Sequence, residues 1–230
     1  MTRRHAARAA VPVAVLAWAA LAATGCTSFS SYQTARMLAP RQLSVGGAVA
    51  VATHYRGVAT PEVPPGVQGR AVLLEGLARF GVTDRLEAGL KLGYAHSFGD
   101  LELSLEQAFV DAKLSLLPDQ LAIALPVGGT LIDGEAFDLQ TQPGLIWTAT
   151  LGRRLELDSA FKLVMVKTRG EASLGSLGAA AVVGVRIRSD HHRLELHPEV
   201  GVHVADLDED SVAFGDSLIL GIGLGVFFTP

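Results

Sequence analysis

The chain has 230 residues, of which 49% are hydrophobic and 18% are charged, and its formal net charge is −4. This apolar content excludes a disordered chain, the single cysteine excludes a disulfide scaffold, and the negative charge argues against nucleic-acid binding. Outside the N-terminus no stretch approaches ~18 consecutive apolar residues, so a bundle of transmembrane helices is disfavoured. A transmembrane β-barrel has this composition, including the 25 glycines.

Residues 1–25 have the pattern of an export signal, with three arginines followed by the apolar stretch 9–23. Thr24 and Gly25 then precede the only cysteine, Cys26, and this arrangement resembles the lipobox of bacterial lipoproteins. The resemblance implies that Cys26 is lipidated and becomes the first residue after cleavage, and Thr27 implies transfer to the outer membrane. Cleavage would remove three arginines and no acidic residue, which lowers the formal charge to −7. The alternative is an ordinary signal peptide with a chance cysteine.

We predict a periplasmic tether over residues 26–41 and a barrel over residues 42–230. From residue 42 onward the hydrophobic period is two, which is the period of a β-strand. The clearest of ten alternating segments is 86–94, where leucine and alanine alternate with glutamate, glycine and lysine. Each segment has about 9 to 14 residues, and about 9–11 suffice to cross a bilayer as a tilted strand. The stretch 101–107 is out of phase with 110–116, which predicts a bulge near Gln107.

The contrast between the two faces of these segments predicts the barrel class. One face is leucine, valine and phenylalanine, and the other is glycine, alanine and charged residues. A soluble lipocalin-type barrel hides its apolar face inside, whereas a membrane barrel turns it toward lipid and keeps a polar lumen. A ten-stranded barrel has a narrow interior that suits small residues. We therefore predict an all-β fold, a closed antiparallel up-and-down transmembrane barrel of about ten strands, preceded by a signal helix.

The connections between segments alternate in length, which predicts the topology. Short links occupy 81–84, 117–120, 152–154 and 189–192, and most other links are longer: 57–69, 128–142, 167–176 and 205–216. Outer-membrane barrels place tight turns in the periplasm and long loops outside. With an even number of strands, both ends of the barrel would lie in the periplasm.

Two stretches carry a family resemblance. Residues 80–94, FGVTDRLEAGLKLGY, resemble the turn-and-strand signature of bacterial outer-membrane β-barrel proteins. Residues 220–228, LGIGLGVFF, are similar to the C-terminal strand signal of that class. The resemblance implies an outer-membrane location, contact with outer-membrane lipid, and barrel-assembly and lipoprotein-sorting machinery as partners during biogenesis. Aromatic residues near segment ends on the apolar face are interpreted as interfacial girdles: Tyr55, Phe80, Tyr94 and Phe228.

Charged side chains on the polar face are the candidate site. Glu195, His197, Glu199 and His203 share one strand face, and Lys91, Arg186 and Arg188 are predicted to face them across the lumen. One interpretation is a cation or proton site, and the other is a ladder of mutually neutralising charges along a solute path. Residues i and i+2 on a strand lie about 6.5–7 Å apart, which is too far for two ligands of one small ion, so we predict no metal and no cofactor.

Catalytic and calcium-binding patterns are weak. His96 and Ser97 are neighbours, but adjacent strand residues point to opposite faces, so we predict no enzyme activity. Asp206, Asp208 and Asp210 resemble the start of a calcium loop, but Ser211 replaces its glycine, which favours a solvated acidic loop. The loop 60–66 contains Pro61, Pro64 and Pro65 and is predicted to be exposed.

The sequence thus predicts a lipid-anchored, non-enzymatic outer-membrane barrel with a structural role or one in the narrow passage or binding of an unspecified small solute. Two alternatives stay open. One is a periplasm-facing lipoprotein with a soluble β-barrel or sandwich that binds a ligand, and the other is an outer-membrane acyl hydrolase that acts on lipids.

Overall fold

The computed structural model describes residues 31–56, 66–99, 104–132, 136–168, 176–189, 193–204 and 218–230. These ranges contain eleven β-strands: β1 Leu43–Arg56, β2 Gly66–Thr83, β3 Leu86–Gly99, β4 Ser104–Leu117, β5 Leu121–Ile132, β6 Ala136–Thr141, β7 Gly144–Thr150, β8 Leu155–Thr168, β9 Ser176–Arg188, β10 Leu194–Val204 and β11 Leu218–Phe228. None of the described residues belongs to a helix long and apolar enough to cross a membrane.

The strands close into an antiparallel barrel. β1 pairs with β11 from Val45↔Phe228 to Tyr55↔Leu218, which joins the first strand to the last. The short strands β6 and β7 occupy one position between β5 and β8, and Gln142 and Pro143 separate them. Because proline lacks an N–H for the ladder, the strand is interrupted at this point. The barrel therefore has ten strand positions, as the alternation predicts.

Two local predictions are wrong. The stretch 128–142 was predicted to be a loop, but β5 continues to Ile132 and β6 follows from Ala136. The predicted bulge near Gln107 is absent from the register of β4, which pairs continuously with β3 from Ser104 to Leu114. The phase change has another cause, because Leu105 and Phe109 are apolar residues that point into the lumen, where each is almost fully buried.

The two faces of the sheet have opposite polarity, and the apolar face is outside. The exposed side chains are mostly aliphatic and aromatic, with Val110, Val200 and Ile222 exposed by 61%, 58% and 66%. Buried charged residues such as Glu87 and Lys113 line the interior and are about 1–2% exposed. A soluble barrel has the reverse arrangement, so the periplasm-facing soluble module is wrong and the transmembrane barrel is confirmed.

The barrel has two distinct ends. The turn end carries the connections β2–β3, β4–β5, β7–β8 and β9–β10 together with the start of β1 and the end of β11. The opposite end, called here the loop end, is where β1, β3, β5, β8 and β10 end. The predictions for the signal 1–25, Cys26, the proline-rich loop 60–66 and the acidic loop with Asp206, Asp208 and Asp210 lie outside the described residues, except for Gly66 at the start of β2.

Candidate functional site

The N-terminal part of the described chain lies inside the barrel. Residues 31–38, called here the lumen segment, precede β1, and Ser31 to Ala35 are buried although they belong to no strand. The sequence predicts a periplasmic tether over 26–41, and the described part of that stretch differs, since only Ala39, Pro40 and Arg41 are exposed. The segment enters because its backbone groups find partners on the polar lumen wall.

The lumen segment climbs from the turn end to the middle of the barrel. Leu38 N–H donates to Glu87, the second residue of β3 at the turn end. Ser31 N–H donates to Glu199, which is central in β10. Arg36 contacts Glu156, the second residue of β8 and also at the turn end, whereas Ala35 and Gln33 contact Thr148 of β7 and Asp111 of β4, further from the turns. The segment therefore follows the barrel axis.

Glu199 binds the inner end of the segment. Its Oε2 accepts from Ser31 N–H at 3.0 Å, and its Oε1 accepts from Tyr32 N–H at 2.7 Å and from Ser31 Oγ at 3.1 Å. Two consecutive N–H groups that converge on a carboxylate form an anion-binding nest, which requires an unusual backbone conformation. Tyr32 supplies it with a φ of 39°, in the left-handed region that a bulky residue rarely adopts.

Other wall side chains bind backbone groups of the segment nearer the turn end. Thr148 Oγ1 accepts from Ala35 N–H at 2.8 Å and donates to Asp158 at 2.5 Å, so the hydroxyl is oriented by a buried carboxylate. Lys113 Nζ donates to the carbonyls of Thr34 and Arg36 at 2.9 and 2.8 Å. Six backbone groups of the segment are thus bound by side chains of the wall.

Two side chains of the segment lie in apolar pockets of the wall, called here the Tyr32 seat and the Ala35 seat. Tyr32 packs against Leu77 and Phe227, with its ring 6.2 Å from that of Phe227. A Cβ added at Gly223 would collide with Tyr32 Oη, so glycine leaves the room that this ring needs. The Ala35 side chain is fully buried, and its seat is formed by five residues: Ala122, Ala124, Ile146, Ala160 and Val182. Only a small residue fits at this position.

Ion pairs fill the wall around the segment. Arg79 contacts Glu87 and Asp111 at 3.0 Å each, and Lys113 contacts Glu87 at 2.9 Å. On the opposite wall Glu156 is shared by Arg36 of the segment, Arg186 and Arg188. Because opposite charges pair across neighbouring strands and onto the segment, most of the buried charge is compensated within the lumen.

The seven predicted lumen residues all face the interior, and the structure groups some of them. Glu195 contacts Arg186 at 3.1 Å and Arg188 at 3.7 Å. His197 Nε2 lies 3.5 Å from Glu199 and 3.4 Å from Asp158. Lys91 pairs with Glu75 at 3.6 Å on another part of the wall, and His203 is buried nearer the loop end. They therefore form separate groups rather than one site.

The sequence does not identify the wall residues that bind the lumen segment, or the segment itself. The alternation places Asp111, Glu156 and Asp158 on the polar face, but nothing in it shows that they serve the lumen segment. The segment SYQTARML has neither strand alternation nor a helical stripe. Its one visible signal is the combination of an aromatic, a small and a basic residue just before a barrel.

Two cavities lie beside the segment among the residues that the structure describes. A cavity of about 140 Å³ at the turn end lies between the segment and the wall and is lined by Arg79, Lys113, Arg186, Arg188 and Glu195, among others. A second void of about 20 Å³, close to the size of one water molecule, lies beside Ser31 and Gln33. In the turn-end half of the lumen, the segment and the ion pairs occupy most of the interior.

The described side chains offer no metal centre and separate the one histidine–serine pair noted in the sequence. Among the residues that the structure describes, no group of three His, Cys, Asp or Glu side chains is arranged to hold a metal ion. His96 packs edge-on against Phe98 of the exterior, with ring centroids 4.7 Å apart. Ser97 follows on the lumen side of the strand, so the two side chains point away from each other.

Comparison with known proteins gives similarity of structure only. No protein-family model matches the chain, and no curated protein matches its sequence. The translocator domain of the autotransporter NalP from Neisseria meningitidis is 11% identical, with 98% of this chain and 97% of that chain covered and a TM-score of 0.47. An outer-membrane channel from Pseudomonas putida F1 is 11% identical, with 84% and 97% covered and a TM-score of 0.48. The outer-membrane protease OmpT from Escherichia coli is 10% identical, with 86% and 100% covered and a TM-score of 0.44.

Proposed function

We propose that this chain is a bacterial outer-membrane β-barrel protein without enzymatic activity, anchored by an acyl group on Cys26, whose lumen segment keeps the barrel closed. Its role is structural or is the narrow passage or binding of a small solute. The apolar exterior supports a membrane location, because such a surface is stable only in hydrocarbon. The turn end then faces the periplasm, since outer-membrane barrels carry their tight turns there.

The observation that carries this proposal is the hydrogen bonding of the lumen segment. Wall side chains bind four N–H groups and two carbonyls of the segment, and most of these partners are charged. Each hydrogen bond to a charged group contributes about 1.5–3 kcal/mol, so together they hold the segment against solvent. A solute can pass only when these bonds break.

Single-channel recording in planar lipid bilayers tests the closure. We expect the full chain to conduct little. A variant in which residues 31–38 are replaced by glycine and serine should conduct strongly, and so should Glu199→Gln, which keeps the chain length and almost the same shape. Equal conductance in all three proteins would contradict closure by the segment.

The lumen charges set the ion preference of the opened barrel. A solute entering from the turn end first meets Arg186, Arg188 and Glu195 and then the level of Glu199 and Lys91. Neutralising this set in the variant with the replaced segment should change the ratio of cation to anion conductance. An unchanged ratio would show that these charges lie off the path.

The lipid anchor is tested by mass spectrometry of the mature protein. Cys26 precedes Ser31 by five residues, which span at most about 17 Å. We expect an acylated N-terminal cysteine, which Cys26→Ala abolishes. An unmodified Cys26 would refute the anchor.

Two further assays test this proposal, the first for the closed membrane barrel and the second against the acyl hydrolase. A closed membrane barrel should migrate differently in a detergent gel before and after boiling, and unchanged migration would oppose it. Purified protein should not turn over phospholipid or lipopolysaccharide, and turnover that depends on a lumen residue would instead support the acyl hydrolase.

A further inference from the structure

The wall recognises the lumen segment as an extended peptide. Six backbone groups of the segment, which every peptide possesses, are bound by Glu87, Lys113, Thr148 and Glu199. The wall supplies both acceptors and donors, so both N–H and C=O groups of the segment are bound. Such a surface binds polypeptide in general, much as a sheet edge does when it accepts an added strand.

Three side-chain seats add selectivity to this backbone recognition. The Tyr32 seat accepts an aromatic ring, and the Tyr32 hydroxyl donates to the carbonyl of Val49 at 3.4 Å. The Ala35 seat excludes any large side chain because the residue is fully buried. At the third seat, Arg36 donates through Nε and Nη2 to Glu156 at 3.1 and 2.7 Å, with Asp119 at 3.9 Å.

The segment reaches its site from the turn end, and its link to the barrel is exposed. Ala39, Pro40 and Arg41 lie outside the lumen, where Arg41 N–H donates to the carbonyl of Gly81. The contacts that hold residues 31–38 do not involve this link. Binding of residues 31–38 in the lumen therefore does not require their covalent attachment to β1.

We infer that the turn-end half of the lumen is a binding site for an extended peptide that carries an aromatic residue, a small residue three positions later and a basic residue directly after the small one. The chain's own lumen segment occupies this site in cis, and a separate peptide with the same pattern, presented from the turn end, occupies it in trans. This inference rests on the proposed closure by the lumen segment. It goes further in that it names the ligand class that the lumen takes.

Severing the link in the folded protein tests the inference. Pro40 is replaced by a protease recognition sequence in a Cys26→Ala background, so that no acyl group holds the cut segment in the micelle. The barrel is folded and cleaved, and mass spectrometry after size exclusion shows whether the cut segment stays bound. Labelled synthetic peptide SYQTARML, with the sequence of residues 31–38, is then added, and its binding is followed by fluorescence anisotropy.

Retention of the cut segment, or saturable binding of the peptide after the cut segment is lost, supports the site. The peptide should bind the uncut protein far more weakly, because the attached segment competes. A matched peptide with tryptophan in place of the Ala35 residue should bind about 100-fold more weakly, since its seat has no room. Glu199→Gln in the cut barrel should weaken binding of the original peptide by about 100-fold.

Loss of the cut segment without saturable peptide binding would overturn the inference, and so would equal binding of a scrambled peptide. Neither result touches the proposed closure, because bilayer conductance is measured separately. A cut barrel that loses its segment and conducts but binds no peptide defeats only the peptide site. A barrel that loses its segment and conducts no more than before defeats the proposed closure, whatever the peptide does.

Discussion

Glu199→Gln should open the barrel, and the structure gives the size of the effect. The carboxylate accepts three hydrogen bonds from Ser31 and Tyr32, at 3.0, 3.1 and 2.7 Å. Glutamine has one acceptor oxygen, and its NH₂ group would face one of the backbone N–H donors. We expect the segment to lose about 3 kcal/mol of binding free energy, since each bond to a charged acceptor contributes about 1.5–3 kcal/mol.

The backbone of Tyr32 opposes binding of the segment. Its positive φ of 39° costs about 1–2 kcal/mol for a residue with a Cβ, and the nest around Glu199 holds it in place. This strain is the same in wild type and in Glu199→Gln, so it lowers the affinity of the segment in both and leaves the difference at about 3 kcal/mol. A loss of about 3 kcal/mol corresponds to a roughly 150-fold increase in the ratio of open to closed barrels.

Open probability in planar bilayers measures this ratio, and limited proteolysis of residues 31–38 gives an independent reading. Glu195→Gln is the matched control. It is a carboxylate on the same face of the same strand, but its ion pairs are with the wall residues Arg186 and Arg188. If Glu199→Gln opened no more often than wild type, or no more often than Glu195→Gln, the argument from the nest would be refuted.

Three further substitutions separate the lumen from the exterior. Lys113→Met removes the donor to the carbonyls of Thr34 and Arg36 and one of the cations that pair with Glu87. Open probability should therefore rise at least tenfold. An unchanged value would show that these bonds do not hold the segment. Gly223→Leu fills the space of the Tyr32 ring and should make residues 31–38 accessible to protease, whereas continued protection would contradict the Tyr32 seat. Val200→Arg places a charge on the exterior near the middle of β10 and should lower the free energy of unfolding in lipid by about 2–4 kcal/mol while the segment stays protected; full stability would oppose a lipid-facing position.

The alternation of residue types predicted the wall of the barrel well. In β10 the sequence places Glu199 on the lumen face and Val200 on the lipid face, and the structure has both in these places. The sequence did not predict the break between β6 and β7 or the inward position of Leu105. Both depend on neighbouring strands: the continuation of β5 provides a partner for β6, and Leu105 packs against Leu73 and Ile219 across the lumen.

The candidate site was predicted only in part. His197, Glu199 and Arg186 were placed in the lumen, but their grouping with Asp158 and Glu156 follows from which strands are neighbours. Cross-strand register decides such contacts, and the charges alone leave many pairings open.

The order of residue types along the chain is enough to predict the lipid-facing side of most strands, because the membrane acts as a solvent on every residue separately and leaves a period of two in the chain. The position of residues 31–38 in the lumen follows only from the folded barrel. Ser31 and Glu199 are 168 residues apart, and Ala35 and Thr148 are 113 apart. The segment belongs to no strand, so its backbone N–H and C=O groups need other hydrogen-bond partners and its sequence has no periodic pattern. Those partners are polar side chains from distant parts of the chain, and only the closed barrel brings them together.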